Sequence, residues 1–310
     1  MSASRDGRRN HAGVVDEVVS PQPARVGCVV LTTGARPDEL AAALDSVRCQ
    51  QGVDVEVVVV LNAPEELTEP DLGDAKLICP GRNLGIPGGR NLGVEALSDA
   101  CELVLFLDDD GRLVDDDVLR RASDAFAHDR SLGAVSLRIV DPDTGETMRR
   151  HVPRLRVGDP RRSSEVTTFL GGASVLRVAA FRDAGGLPEE FFYAHEETSL
   201  AWRLLDRGFR IRYVGDLAMA HPALPAARHA VYHHLTARNR VLLARKHLPV
   251  AVGVLYVGLW LLVSLVRARG GRWATLRGFF DGFRAREVHR DPIRWRTIWR
   301  MTCAGRPPLL

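Results

Sequence analysis

The sequence predicts an α/β protein: a mostly parallel sheet flanked by helices, with a hydrophobic helical appendage at the C-terminal end. Three observations carry this reading. Short β-rich runs alternate with helical patterns through the first half of the chain. Several of those runs are apolar without alternation, which suits strands buried on both faces of a parallel sheet. One of them, LVLFLDDDG at 103–111, ends in three adjacent aspartates. Open α/β sheets place their ligands at such strand ends.

The elements follow in order. VGCVVL (26–31) reads as a first strand, and DELAAALDSVRCQ, after Gly34 and Pro37, as a helix. VDVEVVVVL (53–61) is a second strand, and 77–79 a short third. NLGIPGGRNLG (83–93) reads as a glycine-rich loop, with a helix following over 94–100. The strand 103–107 comes next, then a helix over 118–127 whose start is capped by the acids at 115–117. Further strands are expected at 133–140 and 209–214, a return to the core over 167–177, and a helix over 197–206. The arginine-rich stretch 154–165 reads as a mobile loop.

Leu248–Val266 runs for nineteen residues without a charge. As a helix it would reach ~28 Å, just enough to cross a bilayer. It could equally lie on a membrane, pack on its own domain or join two copies in a homodimer. Basic residues on both sides leave the topology open.

The chain has 310 residues, 45% hydrophobic and 26% charged, with a formal charge of +3. This suits one large domain with an appendage. The expected division is a disordered polar lead (1–25), an α/β domain (26–245) and a hydrophobic, basic helical region (246–310). From Arg267 onward arginines outnumber acids, which suits an anionic partner such as a membrane surface. No basic and aromatic module pattern is present, so no nucleic-acid partner is expected. The five cysteines form no CxxC pair, as in a reduced, cytoplasmic chain. No apolar signal segment is seen in the first 25 residues.

Three like charges side by side are costly unless something neutralises them. Asp108, Asp109 and Asp110 read either as a solvated turn or as a cation site. The segment Asn83-Leu84-Gly85-Ile86-Pro87-Gly88-Gly89-Arg90-Asn91-Leu92-Gly93 lies one element upstream. Its glycines would let backbone approach a ligand, and Arg90 could meet phosphate. Further on come Gly171-Gly172, then Gly185 to Phe192, Glu196-Glu197, Trp202-Arg203, Gly208 to Ile211 and His221.

With Thr33, Arg36 and Pro37, and the Asn83–Gly93 and Leu107–Asp110 motifs, this series resembles family 2 glycosyltransferases of the GT-A fold, a Rossmann-like architecture. The resemblance covers roughly residues 26–245. It implies inverting hexosyl transfer from a nucleotide-diphosphate sugar to an acceptor hydroxyl, with a divalent cation, Mn2+ or Mg2+. Asp110 and His221 would then be metal ligands. Glu197, with Glu196 as the alternative, would be the base. Thr33, Arg36, Asn62, Asn83, Gly85, Gly89, Arg90, Asn91, Asp108 and Asp109 would face the donor. Many relatives carry an acid at the end of the second strand. Here Leu61-Asn62 stands instead, and Asn62 could hydrogen-bond a base edge. Ser199 likewise replaces a later acid of the family.

The resemblance suggests a lipid-linked or cell-envelope glycan as acceptor, with a rhamnosyltransferase-like activity as one option and attachment to the inner face of the cell membrane. A small-molecule acceptor, as in natural-product synthesis, is the alternative. From another class, a nucleotidyltransferase would need a glycine- and lysine-rich loop after the first strand, which LTTGARPDEL does not match. A non-catalytic nucleotide-sugar-binding relative would be expected to have lost its acids.

Overall fold

A computed structural model describes residues 24–63, 72–222, 230–267, 271–286 and 288–309. In chain order the elements are β1 (Ala24–Thr32), α1 (Pro37–Arg48), β2 (Val53–Leu61), β3 (Lys76–Ile78), α2 (Gly85–Glu95), β4 (Leu103–Asp108), β5 (Arg112–Leu113) and α3 (Val118–His128). Then come β6 (Leu132–Val140), β7 (Ser164–Glu165), β8 (Ala173–Arg177), α4 (Val178–Asp183), α5 (Glu196–Asp206) and β9 (Arg210–Ala220). Four helices close the chain: α6 (Ala230–His247), α7 (Val250–Arg267), α8 (Arg272–Arg284) and α9 (Trp295–Cys303). The polar lead expected at 1–25 lies outside the described residues, apart from Ala24 and Arg25, which begin β1.

One sheet runs in the order β3-β2-β1-β4-β8-β6-β9-β5, with β7 on β9. The half around β1 is parallel: β1 pairs with β2 and β4, and β2 with β3. The other half is mixed, because β8 runs antiparallel to both β4 and β6. Val58–Val60 and Leu105–Leu107 are fully buried, as unbroken apolar runs in a covered sheet require. Helix α1 shows the cause of its own placement. Pro37 fits its first turn, and Leu40, Ala43, Leu44 and Val47 share the face that packs on the sheet.

Two expectations are corrected. The glycine-rich segment is no loop: it forms α2 itself, which ends at Glu95. A Cβ at Gly89 would strike Leu31 and one at Gly93 would strike Val29, so these glycines let the helix press against β1. The stretch 154–165 is also tied down. Arg154 donates to the carbonyls of Asp159 and Arg162, both at 2.7 Å, and Tyr213 to that of Pro160 at 2.7 Å. Its arginine content reads as solvation in sequence, but Arg154 spends its donors on backbone.

In the C-terminal layer, α6 packs along α8 and α7 packs on α6. Helix α7 turns Gly253 and Tyr256 inward, with Tyr256 edge-on to Trp202 of α5, ring centroids 6.2 Å apart. Its mean hydropathy of 2.1 would allow a crossing by length and composition, but one face is committed to the catalytic domain. His247, at the end of α6, lies buried with Nε2 2.8 Å from Ser199 Oγ. The position where relatives carry an acid is therefore a structural tie here.

Substituting Gly93→Val should destabilise the protein by about 1–3 kcal/mol, the usual cost of overpacking. Urea unfolding would show a lowered midpoint at constant slope. An unchanged midpoint would mean that α2 does not depend on its contact with β1.

Candidate active site

The site lies at the carboxyl edge of the parallel half. Thr32, Leu61 and Asp108 end three neighbouring strands, with Thr32 opposite Leu61 and Leu31 opposite Asp108. The aspartate triplet turns there, and each carboxylate meets a cation of the protein. Asp108 accepts from Arg90 Nη2 at 2.8 Å. Asp109 accepts from Thr32 Oγ1 at 2.6 Å and faces Arg36 Nη2 at 2.6 Å. Asp110 bonds to Arg36 Nη1 and lies 3.1 Å from His221 Nε2. Arg90, Arg36 and His221 thus all face the triplet.

His221 is delivered by pairing. Arg112, two residues beyond Asp110, is paired with Ala220, so β9 ends beside the triplet. The His221 backbone donates to Val140 O at 2.9 Å, and Nδ1 lies 2.9 Å from Pro222 O. Burial would raise the Asp110 carboxyl, but the hydrogen bond and charge of His221, with Arg36, draw it below the usual range. The same hydrogen bond, which His221 Nε2 donates and Asp110 accepts, raises His221. Asp109 is raised, chiefly by burial.

The second group sits on the first turn of α5. Glu196 is 1% exposed, while the Glu197 side chain is 23% exposed. Burial, then the charge of Glu197, pushes the Glu196 carboxyl up to about 8. Glu197 is also raised by burial, opposed by Arg90, whose Nη1 lies 3.9 Å from Oε1. Just before the pair, Phe192, Ala194 and His195 all have positive φ (61°, 69° and 72°), a conformation costly for residues with a Cβ. Asn239 of α6, fully buried, holds this turn. Its amide nitrogen lies 2.9, 2.7 and 2.9 Å from the carbonyls of Phe191, Tyr193 and Ala194.

Several residues expected to face the donor also bond within the protein. Asn62 is buried: it donates to Gly85 O at 2.9 Å and accepts from Leu84 N at 2.7 Å. Asn83 accepts from Gly85 N at 2.8 Å and starts α2. Gly85 has positive φ and lies under the Phe192 backbone, and Gly89 faces β1. Asn91 binds both backbone groups of Leu187, at 2.9 Å each. Arg90, 2% exposed, is buried between Asp108 and Glu197 rather than open to a phosphate. Thr33 is exposed, and its neighbour Thr32 makes the contact with Asp109. Thr32 and Asn239 were missed. Thr32 adjoins Thr33 in sequence; nothing local marks Asn239.

Among the described residues no three His, Cys, Asp or Glu side chains converge as a metal-binding group. Asp110 and His221 supply two donors. That number fits a hard cation completed by phosphate oxygens and water, which often takes only one or two protein carboxylates. A cavity of about 270 Å³ opens beside Asp110, bordered by Glu39, Arg112 and Pro222.

A Rossmann-like sheet with acids at its carboxyl edge, a histidine joined to them and a carboxylate pair opposite is the arrangement that the resemblance to GT-A glycosyltransferases implies. The sequence profile of Glycosyl transferase family 2 matches residues 28–185, just over half of the chain, and the protein belongs to that family. It is 30% identical to the galactofuranosyltransferase GlfT1 of Mycolicibacterium smegmatis, over 64% of this chain and 71% of that one. It is 24% identical to the dTDP-rhamnosyl transferase RfbF of Shigella flexneri, over 64% and 74%. In fold it resembles GalNAc-T7, solved with UDP, GalNAc and Mn2+. The TM-score is 0.66 at 13% identity, covering 94% of this chain and 59% of that one.

A buried acid with a raised pKa binds more protons folded than unfolded, so its contribution to stability falls as pH rises from the unfolded value towards about 8. Glu196→Gln should remove this loss. Thermal unfolding between pH 5 and 8 is expected to be flatter in the variant, by up to about 1.4 kcal/mol per pH unit. Parallel profiles would show that Glu196 is ionised in the fold.

Proposed function

We propose that the protein transfers a sugar, with inversion, from a nucleotide-diphosphate donor to a hydroxyl of a lipid-linked or cell-envelope glycan. The observation that carries this is the convergence of two unlike carboxylate sets on one sheet edge: Asp110 with His221 on one side, Glu197 on the other. A divalent cation, Mn2+ or Mg2+, when bound, would offset the charge that gathers on the departing diphosphate. Asp110 and His221 would hold it. Asp108, the one member of the triplet with a substantially exposed carboxylate, would meet the ribose.

Glu197 is the base in this reading. It reaches solvent, while Glu196 is sealed and stays protonated at neutral pH. The acceptor O–H gives its proton to Glu197, and the oxygen forms the new bond at the anomeric carbon. The bond to the diphosphate oxygen breaks on the opposite face. Arg90 opposes the rise that burial gives the Glu197 carboxyl, and the strained turn lies where α5 begins. Such positioning of a base contributes about 10²–10⁴-fold to rate.

The C-terminal helices support attachment to a membrane surface. Trp273 (86% exposed), Phe280, Phe283 and Trp299 (69%) stand out from α8 and α9, among Arg272, Arg277, Arg284 and Arg296. Apolar and aromatic side chains mixed with arginines suit an anionic lipid interface.

Asp110→Ala should abolish the Mn2+-dependent thermal stabilisation given by one of UDP, dTDP or GDP. Glu197→Gln should keep that stabilisation and lower kcat by about 10²–10⁴-fold. Full turnover in either variant would overturn the assignment. For the membrane surface, Trp273→Glu with Phe280→Glu should reduce flotation with phosphatidylglycerol vesicles at least tenfold. Undiminished flotation would place the contact elsewhere.

A further inference from the structure

Arg36 holds two of the three aspartates at once. Its Nη2 faces Asp109 Oδ1 at 2.6 Å, and its Nη1 bonds to Asp110 Oδ2. The two carboxylate side chains are 3% and 7% exposed, while that of Arg36 is 39% exposed. One guanidinium therefore bridges two sealed carboxylates from the solvent side, through the planar fork that makes such contacts strong. The other two oxygens are engaged as well. Asp109 Oδ2 accepts from Thr32 Oγ1 at 2.6 Å, and Asp110 Oδ1 lies 3.1 Å from His221 Nε2. All four oxygens of Asp109 and Asp110 thus have a partner on this chain.

Of these partners, Arg36 is the one free to leave. Thr32 is buried within β1, and the His221 backbone is tied to Val140 O. Arg36 stands at the start of α1, where its carbonyl accepts from Leu40 N at 3.0 Å, but its side chain takes no part in capping the helix. The guanidinium can move while the helix start stays in place. The cavity beside Asp110 opens this carboxylate to solvent, and Arg112 lines the same cavity. Among the described residues Arg112 forms no ion pair with the triplet. A second cation placed on Asp110 Oδ2 would meet the Arg36 charge at contact distance, where like charges repel most and a half-buried site screens them least.

Building on the transferase reading, we propose that Arg36 occupies the place of the divalent cation on Asp110 until the donor arrives, then releases Asp110 and turns its freed Nη1 to the diphosphate. The binding of cation and diphosphate is thereby linked. A cation alone must displace a guanidinium that gains nothing in return. With the diphosphate present, phosphate oxygens replace the lost carboxylate, and a planar guanidinium suits them. The coupling acts equally on the affinity for either ligand, because linkage is reciprocal. Arg36 so disfavours a bare metal ion and lets the site fill as a pair.

The test uses the full chain and Mn2+ alone, followed by loss of the free-ion signal in electron paramagnetic resonance. Arg36→Met should bind Mn2+ at least about tenfold more tightly than the parent, within the usual range of coupling between sites. With Mn2+ saturating, the same variant should bind UDP, dTDP or GDP, whichever stabilises the parent, at least about tenfold more weakly. Arg112→Met is the control: it removes a positive charge from the same cavity but no partner of the triplet. Both of its affinities should stay within about threefold of the parent, as for a screened charge. Arg36→Lys keeps the charge without the fork. It should tighten Mn2+ at least about threefold, and it carries the test if the methionine variant does not fold. Unchanged or weakened Mn2+ binding in folded Arg36→Met would overturn the proposal, since nothing would then compete for Asp110. An equal gain in Arg112→Met would also overturn it, by showing a diffuse field in place of a contact. Undiminished nucleotide binding in Arg36→Met would overturn the turn towards the diphosphate. If Mn2+ tightens as expected but no nucleotide binds the parent, the donor reading falls and the competition at Asp110 stands.

Discussion

One buried guanidinium organises the catalytic half. Arg90 is 2% exposed, and it joins three elements that are distant in sequence: α2, which carries it, the end of β4 through Asp108, and the first turn of α5 through Glu197. Its ring neighbour Phe106 lies 5.4 Å from the guanidinium carbon and seals it from below. A buried charge of this kind is tolerated only while its partners stay, because removing one leaves an uncompensated ion in a poor solvent. Its Nε finds no hydrogen-bond partner, so the pairing with Asp108 carries most of the compensation. Helix α2 must therefore press closely on β1, and the glycines at 89 and 93 make that approach possible.

The same constraint explains the aspartate triplet. Three adjacent carboxylates persist because three basic side chains from different parts of the chain meet them: Arg90 from α2, Arg36 from the β1–α1 turn and His221 from the end of β9. A cation arriving with a diphosphate would enter a site whose carboxylates already have partners, and Arg36 would have to yield Asp110 to it. The opposite wall is built differently. There the backbone is strained at Phe192, Ala194 and His195, and the buried amide of Asn239 holds it. Strain of this kind persists only where surrounding structure over-determines it. It settles which of two adjacent glutamates faces outward.

The C-terminal helices are part of the site as well as a surface. Helix α6 supplies Asn239 to the strained turn, and α7 packs on α6. Trp260 is part of that packing: it lies under the Arg240 guanidinium and donates from Nε1 to Leu309 O at 3.1 Å. A helix packed in this way on its own domain keeps its other face for solvent, lipid or ligand. That arrangement agrees with the proposed acceptor class and with the basic, aromatic face of α8 and α9.

Much of this was legible in the sequence, because it depends on local rules. Unbroken apolar runs announced the parallel strands, the 3.6-residue spacing of Leu40, Ala43, Leu44 and Val47 announced α1, and the acids at the end of β4 and the start of α5 marked both walls of the site. Motif order alone pointed to the family. What sequence could not show was direction and partnership. The run around Gly88 and Gly89 looks like a ligand loop until β1 is laid beside it. That Asn62, Asn83 and Asn91 bond to backbone groups is likewise visible only in the folded chain. Asn239 and Thr32 carry no local signal, since their partners lie 45 or more residues away. The sequence by itself determined the class of sheet, the family and the set of ionisable groups, which follow from composition and short-range periodicity. The tertiary structure decided which of those groups are compensated, buried or open, because charge pairing and solvent exposure are properties of neighbours that only folding brings together.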